Sequence, residues 1–218
     1  MIIKVKNINK NFKNVEILKN INVQFKSGKI YGIIGRNGSG KSVFLKLLCG
    51  FYKATSGQIL FDDINIVEND LFAPNTRALI EKPNFLPELS GLENLKLLAS
   101  IQNKISDDDI LDVLKRVNVF SEKDKKYSKY SLGTKQKLGI AQVLMEDPDV
   151  MIFDEPLNGI ENDTAKKIRK ILQEEKAKGK IIIIASHIKE DIEGLADEVY
   201  ELDNGFLKQK IWKKFLMF

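Results

Sequence analysis

The segment that most narrows what this chain can fold into is Gly35-Arg-Asn-Gly-Ser-Gly-Lys41-Ser42, which fits the spacing GxxxxGK[ST] throughout. An apolar run, Lys29–Gly35 (KIYGIIG), precedes it, and Val43, Phe44, Leu47 and Leu48 follow at helical spacing, with Gly50 as a stop. Strand, glycine turn and helix in that order belong to an α/β sheet and to little else. The glycines let the backbone turn so tightly that successive N–H groups converge on phosphate oxygens, and the helix N-terminus adds partial positive charge. The residues assigned to the nucleotide here are Gly35, Arg36, Asn37, Gly38, Ser39, Gly40, Lys41, Ser42 and Val43. Lys41 is expected to reach the β- and γ-phosphates, and Ser42 to offer its hydroxyl to Mg²⁺.

The rest of the chain supplies the sheet. Ile2–Ile8 and Ile17–Phe25 alternate apolar and polar residues, while Val150–Asp154 and Ile181–Ala185 are continuous apolar runs of the kind buried on both faces. A helix through Glu161–Lys178, stopping at Gly179, separates the latter two, and Asn204-Gly205 marks a hairpin between two alternating runs. From Pro87 to Val143 the pattern is helical, with capping-box signals at Ser90-Gly-Leu-Glu93 and Ser106-Asp-Asp-Asp109. The expected fold is an α/β core with a mostly parallel sheet and an antiparallel β portion, residues 1–86 and 144–218. A helical lobe, residues 87–143, is inserted into it.

A second motif lies at Val150-Met-Ile-Phe-Asp154-Glu155. A strand ending in Asp sets that carboxylate at the sheet edge beside the phosphate loop, where it can hold Mg²⁺. Glu155 follows directly and is placed to polarise the water that attacks a γ-phosphate.

With these two motifs together, the chain resembles the ATP-binding subunits of ABC transporters from about Phe12 to Glu198. Asp154-Glu155-Pro156 is similar to that family's magnesium-binding strand end and catalytic glutamate. His187, the sole histidine, follows IIIIAS as the family's switch histidine does. The resemblance makes Glu155, His187 and Lys41 the catalytic set and ATP with Mg²⁺ the cofactors. Phe12 takes the position of the aromatic that stacks on adenine. Ser131, Leu132, Gly133 and Thr134, within Tyr130-Ser-Leu-Gly-Thr134, match the signature segment that completes the opposite subunit's ATP site. Leu132 and Thr134 depart from its common form, LSGGQ.

Two further departures concern charge. Glu81, in Leu79-Ile-Glu81-Lys-Pro83, stands where the family usually has glutamine, and Glu161 replaces an aspartate in Asn158-Gly-Ile-Glu161. Ser42, Asp154 and Glu81 are thus the residues expected to face the metal ion. A carboxylate near a triphosphate also repels it; two unit charges ~4 Å apart interact by roughly 4 kcal/mol at an effective dielectric of ~20. Glu81 followed by the pattern of Pro83 to Pro87 resembles, within the family, the ATPases of lantibiotic-immunity and bacitracin-resistance exporters.

Composition bears on partners. The charge of +5 comes from a lysine-rich, arginine-poor chain, a solvated surface rather than a nucleic-acid face, and no nucleic acid is expected. No apolar run nears the ~20 residues of a membrane span. MIIKVKNINK lacks a secretory core, and the single cysteine, Cys49, agrees with a reducing cytoplasm. The tail Lys208–Phe218 (KQKIWKKFLMF) reads as a lipid- or partner-facing end or as a strand on the domain edge. The resemblance then implies an ATPase on the inner face of the cell membrane. It would pair with a second ATP-binding subunit, a homodimer by expectation, and with membrane permease subunits that export a peptide antibiotic or similar amphipathic compound. The alternative is a soluble ABC ATPase acting on nucleic acid, ribosomes or assembly factors.

Overall fold

The computed structural model describes residues 1–210; residues 211–218, most of the basic–aromatic tail, lie outside the described residues. Sixteen strands and α-helices follow in chain order: β1 (Ile2–Phe12), β2 (Val15–Lys26), β3 (Lys29–Ile34), α1 (Lys41–Leu48), β4 (Ser56–Phe61), β5 (Ile64–Asn65), β6 (Thr76–Leu79), α2 (Gly91–Gln102), α3 (Asp107–Arg116), α4 (Leu132–Leu144), β7 (Val150–Asp154), α5 (Asn162–Ala177), β8 (Ile181–Ser186), α6 (Lys189–Ile192), β9 (Glu198–Asp203) and β10 (Phe206–Lys210). The expected class holds. One sheet, ordered β10-β9-β3-β8-β7-β6, is parallel except for β10; the other, β2-β1-β4-β5, is antiparallel.

Side-chain alternation builds two cores from the same strands. Ile30, Ile34, Met151, Phe153, Ile182 and Ile184 face one cluster, shared with α4, α5 and the helices between β6 and β7. Tyr31, Ile33, Val150, Ile152, Ile181 and Ile183 face the other, with α1 and the antiparallel sheet. Burial on both faces explains why these strands read as unbroken apolar runs.

The edges differ from expectation. β1 runs on to Phe12 through register shifts between Val5 and Lys10, with Asn7 at φ +50°, and these bulges interrupt the period-two pattern that ended the sequence reading at Ile8. β4 and β5 were not foreseen; β4 pairs with β1, its Gly57 close under the bulge at Asn7. Between β6 and β7 the described residues hold helices joined by irregular segments and no strand, with one bridge, Ser90 to Lys126. Ser90 and Ser106 form the full capping boxes expected, with Glu93 and Asp109 as reciprocal partners. Asn204-Gly205 closes the β9–β10 hairpin.

Close approach of α6 to β3 depends on Gly32. A methyl group there would lie 2.2 Å from Ile192 Cγ2 and 3.3 Å from the Cβ of Ala196. Gly32→Ala is expected to cost about 1–3 kcal/mol through this overpacking, read as a lowered midpoint in chemical denaturation. An unchanged midpoint would show that α6 shifts away without penalty.

Candidate functional site

Sheet order creates the site. β8 lies between β3 and β7, with Ile34 opposite Ser186 and Asp154 opposite Ala185, so the carboxyl ends of all three strands meet. The loop after β3 leads into α1, which opens on Lys41 and Ser42, the turn after β7 carries Glu155, and the turn after β8 carries His187. Open α/β sheets bind ligands at such an edge.

Gly38 and Gly40, at φ +80° and +102°, shape the loop in the left-handed region that glycine tolerates. Lys41, 6% exposed, braces it by donating from Nζ to the carbonyls of Gly35 (2.8 Å) and Arg36 (3.3 Å). Ser39 Oγ is buried without a hydrogen-bond partner, an unmet polar atom inside the loop. The Ser42 hydroxyl donates to Asp154 Oδ2 at 2.5 Å. Burial pushes the Asp154 carboxyl up from its usual range, against the pull of that hydrogen bond. Two hard oxygen donors side by side, one a desolvated carboxylate, fit a small divalent cation.

Glu155 sits at φ +51°, a turn unusual for a residue with a side chain, and its N–H donates to the Ala185 carbonyl on the neighbouring strand at 2.9 Å. Its Oε1 accepts from the His187 backbone N–H (2.9 Å) and lies 2.7 Å from His187 Nδ1; Oε2 accepts from Ser186 Oγ (2.9 Å). Lys41 Nζ is 3.9 Å away. An ionised carboxylate accepts, so Nδ1 carries the proton of that contact. Three of about four acceptor sites are filled, which leaves one for water.

A cavity of about 640 Å³ joins Gly38, Gly40, Lys41, Ser42, Val43, Glu81, Asp154 and Glu155, together with Ile17, Asn37, Lys82, Leu132, Gln136 and Asn158. Gly35, Arg36 and Ser39 line a second cavity of about 540 Å³ on the β9–β10 side of the loop. Phe12 lines neither; 41% exposed, it packs edge-on to Tyr52 (5.5 Å) with Lys10 Nζ 4.6 Å over its ring. Glu81, at φ +65°, is paired with Lys46 of α1.

Ser131, Gly133 and Thr134 lie in a third recess of about 440 Å³, which they share with Gly159, Ile160 and Glu161. Ser131 caps α4 by accepting from the Thr134 N–H (3.2 Å), and the two hydroxyls are 2.9 Å apart. Leu132 reaches both the recess and the main cavity.

Two side chains bonded to the Glu155 turn escaped the sequence reading. Ser186 is the last residue of an apolar strand and carries no local sign of its bond to Glu155. Gln136, 5% exposed on α4, donates to the carbonyls of Glu155 (3.0 Å) and Pro156 (3.3 Å), a contact nineteen residues long that no periodicity announces.

A family model described as ABC transporter matches residues 18–158. Over 216 residues the chain is 39% identical to the uncharacterized ABC transporter ATP-binding protein YybJ of Bacillus subtilis (strain 168), covering 98% of this chain and 99% of that protein. It is 34% identical to the bacitracin transport ATP-binding protein BcrA of Enterococcus faecalis (96% and 69% covered). To the lantibiotic transport ATP-binding protein SrtF of Streptococcus pyogenes it is 35% identical (90% and 84% covered). Among solved structures, a dimeric ATP-binding cassette in a post-hydrolysis state, bound to ADP and Pi, aligns with a TM-score of 0.87 at 24% identity, covering 95% of this chain and 97% of that one; this likeness shows the fold.

Gln136→Ala leaves the backbone carbonyls of Glu155 and Pro156 without this partner. It is expected to cost about 1–3 kcal/mol in stability and to slow ATP turnover more than it weakens ATP binding. Thermal denaturation and steady-state hydrolysis, measured on the same preparation, check both parts.

Proposed function

Since this chain belongs to the ABC transporter family and is an ATPase of it, we propose that it powers separate membrane permease subunits that export a peptide antibiotic or similar amphipathic compound. The observation that carries the catalytic part is the Glu155 carboxylate. It opens on the cavity of the phosphate loop, is fixed by His187 and Ser186, and keeps one acceptor site for a water.

In this reading the triphosphate enters the 640 Å³ cavity and takes over the donors that Lys41 now spends on Gly35 and Arg36. Backbone N–H groups from Gly38 to Val43 and the Lys41 ammonium stabilise charge on the β- and γ-oxygens. Ser42 and Asp154 would hold Mg²⁺, which when bound supplies Lewis-acid charge at the transferring phosphoryl group. Glu155 orients the attacking water and takes its proton. His187 holds Glu155 through Nδ1, leaving Nε2 for the γ-phosphate. Phe12, at the end of β1 and paired with Val15 of β2, stacks on adenine.

Ser131, Leu132, Gly133 and Thr134 act across a head-to-tail dimer. The recess that holds Ser131, Gly133 and Thr134 apart from the phosphate loop supports this, and Leu132 alone of the four also lines the main cavity. A dimer of identical chains is the simplest such assembly. Among the described residues no helix is long and apolar enough to cross a membrane, and the reading assigns the membrane path to the permease. The relatives named for bacitracin and lantibiotic transport support the substrate class, and the chain would work at the inner face of the membrane.

Two measurements test the proposal. Glu155→Gln should lower hydrolysis by roughly 10²-fold or more while ATP still binds; turnover at the wild-type rate would remove Glu155 from its role. Gentle solubilisation of host membranes with a tagged chain should recover a polytopic membrane protein in fixed ratio. Recovery with ribosomes or nucleic acid alone would overturn the transport reading.

A further inference from the structure

The cavity that would receive a polyanion is lined by more acid than base: Glu81, Asp154 and Glu155 against Lys41 and Lys82. Asp154 has the metal site to balance it, and Glu155 has His187 and Lys41. Glu81 has neither. Its side chain is 63% exposed at the cavity rim, and its φ of +65° sets it in a conformation that side chains rarely adopt.

Its partner is Lys46, a residue without a role in the site so far. Lys46 follows Ser42 by four positions on α1, so the two share a helix face. The Lys46 side chain is only 21% exposed, and its Nζ, paired with Glu81, also sits 5.3 Å from the centroid of Tyr52. Tyr52 in turn meets Phe12 edge-on at 5.5 Å. The ammonium is therefore held between the acid at the rim and the Tyr52–Phe12 aromatic pair. A freely solvated surface lysine has no such setting.

We infer that Lys46 is a positioning residue for nucleotide binding: it neutralises Glu81 and holds that carboxylate off the triphosphate, so that an acid is tolerated at the rim of a polyanion site. The inference rests on the reading of the cavity as an ATP site. Removing the ammonium alone leaves an unpaired negative charge facing the phosphates. Removing both charges restores neutrality.

The test is titration of a fluorescent ATP analogue and a fluorescent AMP analogue in EDTA, without metal. Lys46→Met is expected to bind the ATP analogue on the order of tenfold more weakly, with a much smaller change for the AMP analogue. Added salt should shrink the deficit. The double variant Lys46→Met with Glu81→Gln should return to the affinity of Glu81→Gln alone, and Lys46→Arg should bind as wild type. Should Lys46→Met fold poorly, Lys46→Gln poses the same question. An unchanged ATP affinity in the single variant overturns the inference, as does a double variant as weak as Lys46→Met. Those results leave the ATP site standing, whereas a wild-type protein that binds no ATP analogue removes the site and the inference together.

Discussion

Everything in the site depends on the position of one strand. β8 separates β3 from β7, and its register with both sets Ser186 and the following His187 between the phosphate loop and Glu155. The Glu155 turn is pinned to the same strand through the Ala185 carbonyl. Side chains alternate between the two faces of a strand, so a slip of one residue would exchange the faces of Ile181 to Ile184 and carry Ser186 away from the Glu155 carboxylate. Both faces of the strand are apolar, and yet they are not interchangeable. The adjoining cores differ in shape, one built with α4 and α5 and the other with α1, so packing rather than polarity fixes the register.

The helices between β6 and β7 reach this edge by two polar routes. Gln136 of α4 holds the carbonyls of Glu155 and Pro156. Tyr127 donates to the Pro83 carbonyl at 2.6 Å, and Asn94 both donates to and accepts from the backbone of Leu86, which ties down the segment that follows Glu81. Gly139 lets α4 approach closely; a methyl group there would lie 2.8 Å from both Leu79 and Pro83. A displacement of these helices as a body therefore moves the Glu81 segment and the Glu155 turn together. Such linked contacts tie the helices to the sheet edge as one mechanical unit.

What could be read from sequence follows the range of the interaction. The turns after β3 and β7, with Asp154 and Glu155, could be placed because each is announced by its neighbours, a buried strand and then a polar residue at its end, whereas His187 was singled out by the family resemblance. The caps at Ser90 and Ser106 were legible for the same reason, their partners lying three residues on. β4 and the bulged half of β1 were not, since a bulge destroys the alternation that identifies a strand. Gln136, Ser186 and Lys46 carry no local signal, because their partners lie nineteen, thirty-one and thirty-five residues away.

The departures in the signature segment gain a physical sense once the third recess is considered. Leu132 stands where a glycine is common, and Gly159, at φ +74°, stands opposite it: a methyl group on Gly159 would lie 2.9 Å from Leu132 Cδ2. Gly133 has its own constraint, since a methyl group there would meet the Gly159 carbonyl at 2.7 Å. The bulk added on one loop is thus accommodated by the glycine on the other. Glu161 lines the same recess as Ser131, Gly133 and Thr134, so the longer acid and the altered signature residues face one surface. Leu132, 55% exposed, presents an apolar side chain on that surface where a glycine would present backbone. Leu132 and Glu161 therefore shape this one surface together, the apolar side chain and the longer acid lining the same recess.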